Sequence, residues 1–160
     1  MERVYQLLSA ALQYEKGHSR RSRHILSVLG LCELIADGEN LSQEARETVF
    51  AAAILHDIPI RYCKEVYGDA CQENQRREAV KLVPEFLQKA GYPPEAAEKV
   101  LPMVLRHHCY EENIDSLLQI LMEADLLVNL LEGEPVFPDF ARRFFKTETG
   151  RQLLEGILSE

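Results

Sequence analysis

The chain has 160 residues, 46% of them apolar, and a formal net charge of −8. That length suffices for one domain with a sizeable core, and no apolar run approaches the roughly 18 residues of a membrane span. The acidic balance argues against long nucleic acid as a partner, because polymer binding needs many phosphate contacts, whereas a small anion in a local positive pocket is compatible with it.

The start, Met1 to Leu8, is amphipathic, with no signal-peptide core and no small-residue cleavage site, so a cytoplasmic protein is expected. Cys32, Cys63, Cys71 and Cys109 form no Cys-x-x-Cys. Structural disulfides are not expected in a reducing compartment, and Cys109 reads as a small buried residue.

Helical periodicity dominates, without sustained apolar–polar alternation or an Asn-Gly hairpin signal. Helices are predicted over 2–16, broken at Gly17, and over 22–37, ending near Gly38. Ser42 caps a third over 43–57, with Glu44 and Glu47 favourable near its start. This helix carries the run Val49 to Leu55 into the adjacent pair His56-Asp57, and Pro59 stops it near Ile58. A short helix over 60–67 runs to Gly68, and a fifth covers 73–90, with Pro84 expected to kink or break it. The prolines of Gly91-Tyr92-Pro93-Pro94 open a sixth helix to about His107. A seventh covers 114–132 and ends at Gly133. Pro135 and Pro138 mark a loop, and short helices at 138–146 and 148–158 close the chain. There is no internal repeat, low-complexity tract or linker. The expectation is one all-α domain over 1–160, a bundle of about seven to nine helices.

Several polar residues fall on apolar faces. In the second helix His24 shares a face with Val28, Leu31 and Ile35, at i, i+4, i+7 and i+11. Taken singly it is a hydrogen-bonded core histidine. In the seventh, Asp125 shares a face with Leu118, Leu121, Met122 and Val128. Asp is a poor helix former, so it reads either as one half of a buried salt bridge or as a metal ligand. His107 and His108 close the sixth helix, where a histidine cation is also favourable. An unpaired buried charge is costly, so the His56-Asp57 pair at the end of an apolar helix needs a partner. Together, His24, His56-Asp57, His107-His108 and Asp125 make a mixed nitrogen and oxygen set. It suits Mn²⁺, Fe, Co²⁺, Ni²⁺ or Zn²⁺, with Mg²⁺ also open, and not a thiolate-rich structural zinc site. Facing helices of bundles build metal centres this way.

In that order, Arg23-His24, Ile54-Leu55-His56-Asp57-Ile58, His107-His108 and Glu123-Ala124-Asp125 resemble the HD-domain metal-dependent phosphohydrolase superfamily, and most of all its small stand-alone bacterial members. The resemblance covers roughly residues 18–132. It implies an all-helical domain in which His24, His56, Asp57 and Asp125 ligate one metal. His107 and His108 would then be second-metal ligands or substrate-facing residues. Many relatives carry a glycine and a phosphate-binding lysine after the His-Asp pair. Here Pro59 and Ile60 stand there, and Arg61, four after Asp57, is a candidate substitute. Two-metal relatives also have a histidine between the His-Asp and the double histidine. This chain has none from 58 to 106, with Gln75 or Glu78 near the expected place, which points to one ion.

The resemblance implies hydrolysis of a small phosphoester, a nucleotide or related phosphate, by metal-activated water. Asp57 would orient the water and His107 or His108 would protonate the leaving group. Arg20, Arg23, Arg61 and Arg106 are the candidate phosphate-binding cations. The run Lys16 to Arg23 puts positive charge at a helix N-terminus, an unfavourable placement that a bound anion would explain. Competing readings are a catalytically silent nucleotide-binding module, a di-iron oxygenase and a helical adaptor.

Overall fold

The computed structural model describes residues 1–159. Among the described residues the helices are α1 (Glu2–Tyr14), α2 (Ser19–Gly38), α3 (Gln43–Leu55), α4 (Pro59–Tyr67), α5 (Gln72–Lys89), α6 (Glu95–Arg106), α7 (Ser116–Leu131), α8 (Pro138–Phe144) and α9 (Glu148–Leu158). There is no strand among those residues, and the all-α class stands. None of these helices is long and apolar enough to cross a membrane.

Two helices form the centre. α3 starts where the Ser42 hydroxyl accepts the Ala45 N–H, and it is buried continuously from Val49 to Leu55. Asp115 caps α7 by accepting the Leu117 and Leu118 N–H groups, and α7 is buried from Leu118 to Val128. A helix apolar on all sides must be surrounded by others. Accordingly α1, α2, α6 and α7 lie on α3, while α2, α3, α6 and α9 lie on α7. Each fully buried Leu or Ile contributes about 1.5–3 kcal/mol of transfer free energy, so these two helices anchor whatever polar groups they carry.

The helix ends depart from the predicted ones in ways that matter for chemistry. α2 begins three residues early, at Ser19, which brings Arg20 and Arg21 into its first turn. α3 stops at Leu55, so His56 and Asp57 occupy the turn into α4 and not the last turn of a helix. Pro59 explains this, because its fixed φ and missing N–H suit the start of a helix. Pro84, by contrast, does not break α5, which runs unbroken from Gln72 to Lys89. The buried neighbours Val83, Phe86 and Leu87 hold the chain helical against a proline cost of about 3 kcal/mol.

The last two helices are locked to α7 through Glu123. Its fully buried carboxylate accepts bonds from Gln119 Nε2, the Lys146 and Thr147 N–H groups and the Thr147 hydroxyl. The Thr147 hydroxyl in turn accepts the Gly150 N–H and so caps α9. A Cβ at position 150 would collide with that carboxylate, so this is a close approach that only glycine allows.

Candidate metal centre

Ligand-type atoms converge where α2, α7 and the α3–α4 turn meet. His24 Nε2 lies 3.2 Å from His56 Nε2 and 3.1 Å from Asp125 Oδ1. Asp57 Oδ2 stands 3.6 Å from His24 Nε2 and 3.5 Å from His56 Nε2. His56 Nε2 and Asp125 Oδ1 are 3.7 Å apart. His24, His56 and Asp125 are buried, and Asp57 opens toward solvent with 21% of its side chain exposed.

The other ring nitrogens are already committed. His56 Nδ1 donates to the Ala53 carbonyl at 2.7 Å, and His24 Nδ1 lies 3.2 Å from Glu132 Oε2. In the neutral rings these partners take the proton on Nδ1, which leaves a lone pair on each Nε2. Two bare imidazole nitrogens and two carboxylate oxygens then face a common point with no donor between them. Such a group repels itself unless a metal ion or a proton on His24 sits within it, and this donor set fits a divalent transition metal.

Electrostatics agree with the geometry. Burial disfavours a charged His24, but the Asp125 hydrogen bond and the carboxylates of Asp57, Asp125 and Glu132 outweigh it and push its pKa up to about 9. His56, fully buried, is pushed down. Burial works against ionised Asp57 as well, yet His56, His107 and His24 hold it far below the usual carboxylate range. Asp125 is lowered in the same way, against burial, by its bond to His24 and by the other imidazoles.

His107 repeats the device seen at His56. It caps the end of α6, and its Nδ1 donates to the Val104 carbonyl three residues back, at 2.7 Å. Its Nε2 is buried without a hydrogen-bond partner, 3.5 Å from Asp57 Oδ1. The His108 ring lies 3.9 Å from that of His107. Asp57, His107 and His108 therefore form a second triad with ligand atoms within 4.8 Å of one another, as do His24, His56 and Asp57. Asp57 belongs to both. Gln75 lines the small crevice beside His56, His107 and His108, whereas Glu78 is turned away to the Tyr67 hydroxyl.

A cavity of about 520 Å³ opens onto His24 and Asp57, within the size range of small-molecule sites. The predicted phosphate-binding arginines divide sharply. Arg20 lines this cavity and bonds Glu134. Arg23 is exposed and not part of its wall, since adjacent helical residues point about 100° apart. Arg61 is held by Glu65 and the Tyr14 carbonyl, with its guanidinium over the Tyr14 ring. Arg106 pairs with Glu111 and lines a different groove. His107 and His108 also stay out of the large cavity, so direct proton delivery to a leaving group there has no geometric support.

Lys64 and Glu132 were not expected from the sequence, and Arg21 only as part of the run Lys16 to Arg23. Arg21, bonded to buried Glu15, lines the cavity beside Arg20. Lys64 lines it too, and has no carboxylate partner among the described residues. It stands one turn beyond Ile60, where relatives were expected to carry lysine, and both side chains line the cavity. Glu132 is seven residues after Asp125 and therefore on the same helix face, a spacing visible in the sequence.

The family model described as HD domain matches residues 21–130. No match was found among curated proteins or solved structures.

Proposed function

The chain belongs to the HD domain family, and from that membership we propose that it hydrolyses small phosphoesters, a nucleotide or a related phosphate, in a metal-dependent reaction. The observation that carries the reading is the convergence of His24, His56, Asp57 and Asp125 with both histidine tautomers set by outside partners. These residues would hold a divalent transition ion, with the triad Asp57, His107 and His108 as the place for a second. When bound, such an ion polarises a phosphoryl oxygen and brings the pKa of a water toward neutrality.

The remaining work falls to the protein's own side chains. Asp57 stays ionised across the physiological range and lines the cavity, so it can accept a hydrogen bond from the attacking water and aim it. His107 supports Asp57 from behind. Its charged form is opposed by burial but favoured overall by the Asp57 carboxylate, so its pKa is raised. His108 is lowered to about 4 by burial and by His107, and serves as a neutral nitrogen donor. Lys64 supplies the positive charge that phosphate oxygens require, with Arg20 and Arg21, which Glu134 and Glu15 already hold, beside it.

The test is metal analysis and turnover on the untagged protein. We expect first-row metal to co-purify and to be lost in Asp125→Ala. Phosphoester hydrolysis with Mn²⁺, Co²⁺ or Ni²⁺ should disappear in Asp57→Ala while the helical circular-dichroism signal remains. Full activity in Asp57→Ala, or no uptake of Mn²⁺ by the wild type, sinks the assignment.

A further inference from the structure

The cavity at the metal centre has a neighbour. A second cavity of about 460 Å³ is lined by Tyr110, Leu126, Pro135, Val136, Phe137 and Phe140. Asn129 and Glu134 line both cavities, so the two share a wall. α7 builds that wall. It presents Asp125 to the metal centre, Leu126 to the second cavity and Asn129, one turn on, to the junction.

The chemistry of the two cavities differs. The first is charged, with Arg20, Arg21 and Lys64 set among the carboxylates of Glu15, Asp57, Glu132 and Glu134, and the second is aromatic. The Tyr110 ring meets Phe140 and Phe144 edge-on, at 5.2 and 5.1 Å between centroids, and the two phenylalanines stack at 5.8 Å. Phe137 lies outside this set. It is 77% exposed at the rim, with a ring face that no other aromatic side chain covers. At the junction, the Asn129 side-chain amide has no hydrogen-bond partner among the described residues. It offers two N–H donors and a carbonyl acceptor.

We propose that this second cavity receives the flat base of a nucleoside phosphate, stacked on Phe137, while the phosphate occupies the first cavity, beside Lys64 at the metal centre. Only the phosphate half rests on the phosphohydrolase reading. A sugar phosphate would leave its hydroxyls facing Leu126, Val136 and the aromatic rings, where few partners exist. A planar base loses little there, because every base has a face that stacks on an aromatic ring. Asn129 can pair with an edge of the base, and Glu134, pinned by Arg20, separates base from phosphate.

The test separates the two halves. Calorimetric titration of the Mn²⁺-loaded protein with adenosine, cytidine and ribose probes the second cavity without turnover, because none carries a phosphate. A nucleoside should bind and ribose should not. Phe137→Ala should weaken nucleoside binding about tenfold and Phe137→Tyr should retain it. Phe137 is exposed, so both variants keep the fold. In turnover, Phe137→Ala should raise KM for adenosine 5′-monophosphate about tenfold at unchanged kcat and leave ribose 5-phosphate unaffected. Equal KM values for these two substrates, with no nucleoside bound, would overturn the base subsite and leave the hydrolase reading intact. Nucleoside binding that Phe137→Ala does not weaken overturns the subsite equally. Nucleoside binding that depends on Phe137, without hydrolysis of any phosphoester, would support the subsite and remove the hydrolase reading.

Discussion

Glu132 touches the metal centre only through His24, yet it decides which nitrogen of that ring carries the proton. A carboxylate on the remote nitrogen also makes the ligating one more basic. Glu132→Gln should therefore lower metal affinity about 10- to 100-fold without removing a ligand, measured by competition with a chromogenic chelator. An unchanged affinity would mean that His24 finds its tautomer without help. The same logic separates Asp125 from Glu123, two residues apart on α7. Asp125 faces the imidazoles, whereas Glu123 faces the backbone of 146–147 and is wholly structural.

The helices carry their own predictions, because two glycines face opposite circumstances. Gly150 opens α9 against the Glu123 carboxylate, and any Cβ there collides with it. Gly150→Ala should cost about 1–3 kcal/mol through overpacking, read from urea denaturation. Gly30 lies within α2 with nothing near its would-be Cβ. Gly30→Ala should stabilise by about 0.5–1 kcal/mol, since glycine loses more conformational freedom than alanine in a helix. If both substitutions shift stability in the same direction, the packing of α9 on α7 is not as described.

For the molecule as a whole, the metal-free centre makes stability depend on pH. His24 has its pKa raised to about 9 in the folded protein. Its contribution is fully present below the unfolded value, near 6.5, and is lost as pH rises through about 9. Asp57 and Asp125 are lowered, so theirs is present above the ordinary carboxylate value of about 4 and lost in acid. His56 and His108 are lowered, so they withdraw stability as pH falls below about 6.5, and the centre favours the metal-free fold most near pH 6.5. Metal uptake runs the other way, because a bound ion displaces the proton of His24. Apparent affinity for Mn²⁺ should rise about tenfold per pH unit up to about 9. The melting-temperature gain on adding Mn²⁺ should therefore grow from pH 6 to pH 9. A gain independent of pH would show that His24 is not protonated in the metal-free protein.

The helices were legible in the sequence because their causes are local. Period, Ser42 as a cap and Gly68 in a left-handed conformation act within a few residues. The ordered set His24, His56-Asp57, His107-His108 and Asp125 was legible as well, since polar residues on apolar faces stand out against their own helix. The surroundings of that set were not. A long cation is claimed by whatever lies nearest in space, and the Tyr14 carbonyl that holds Arg61 is 47 residues away. Lys64 lines the cavity from α4, one turn beyond Ile60, and its neighbours there, Arg20, Arg21 and Glu132, come from α2 and the end of α7. The aromatic cavity draws Tyr110, Leu126 and Phe137 from three separate segments. Sequence alone determined which ligand-type residues the chain carries and in what order. Tertiary packing decided which charges and rings reach them, because those contacts join residues that no local period relates.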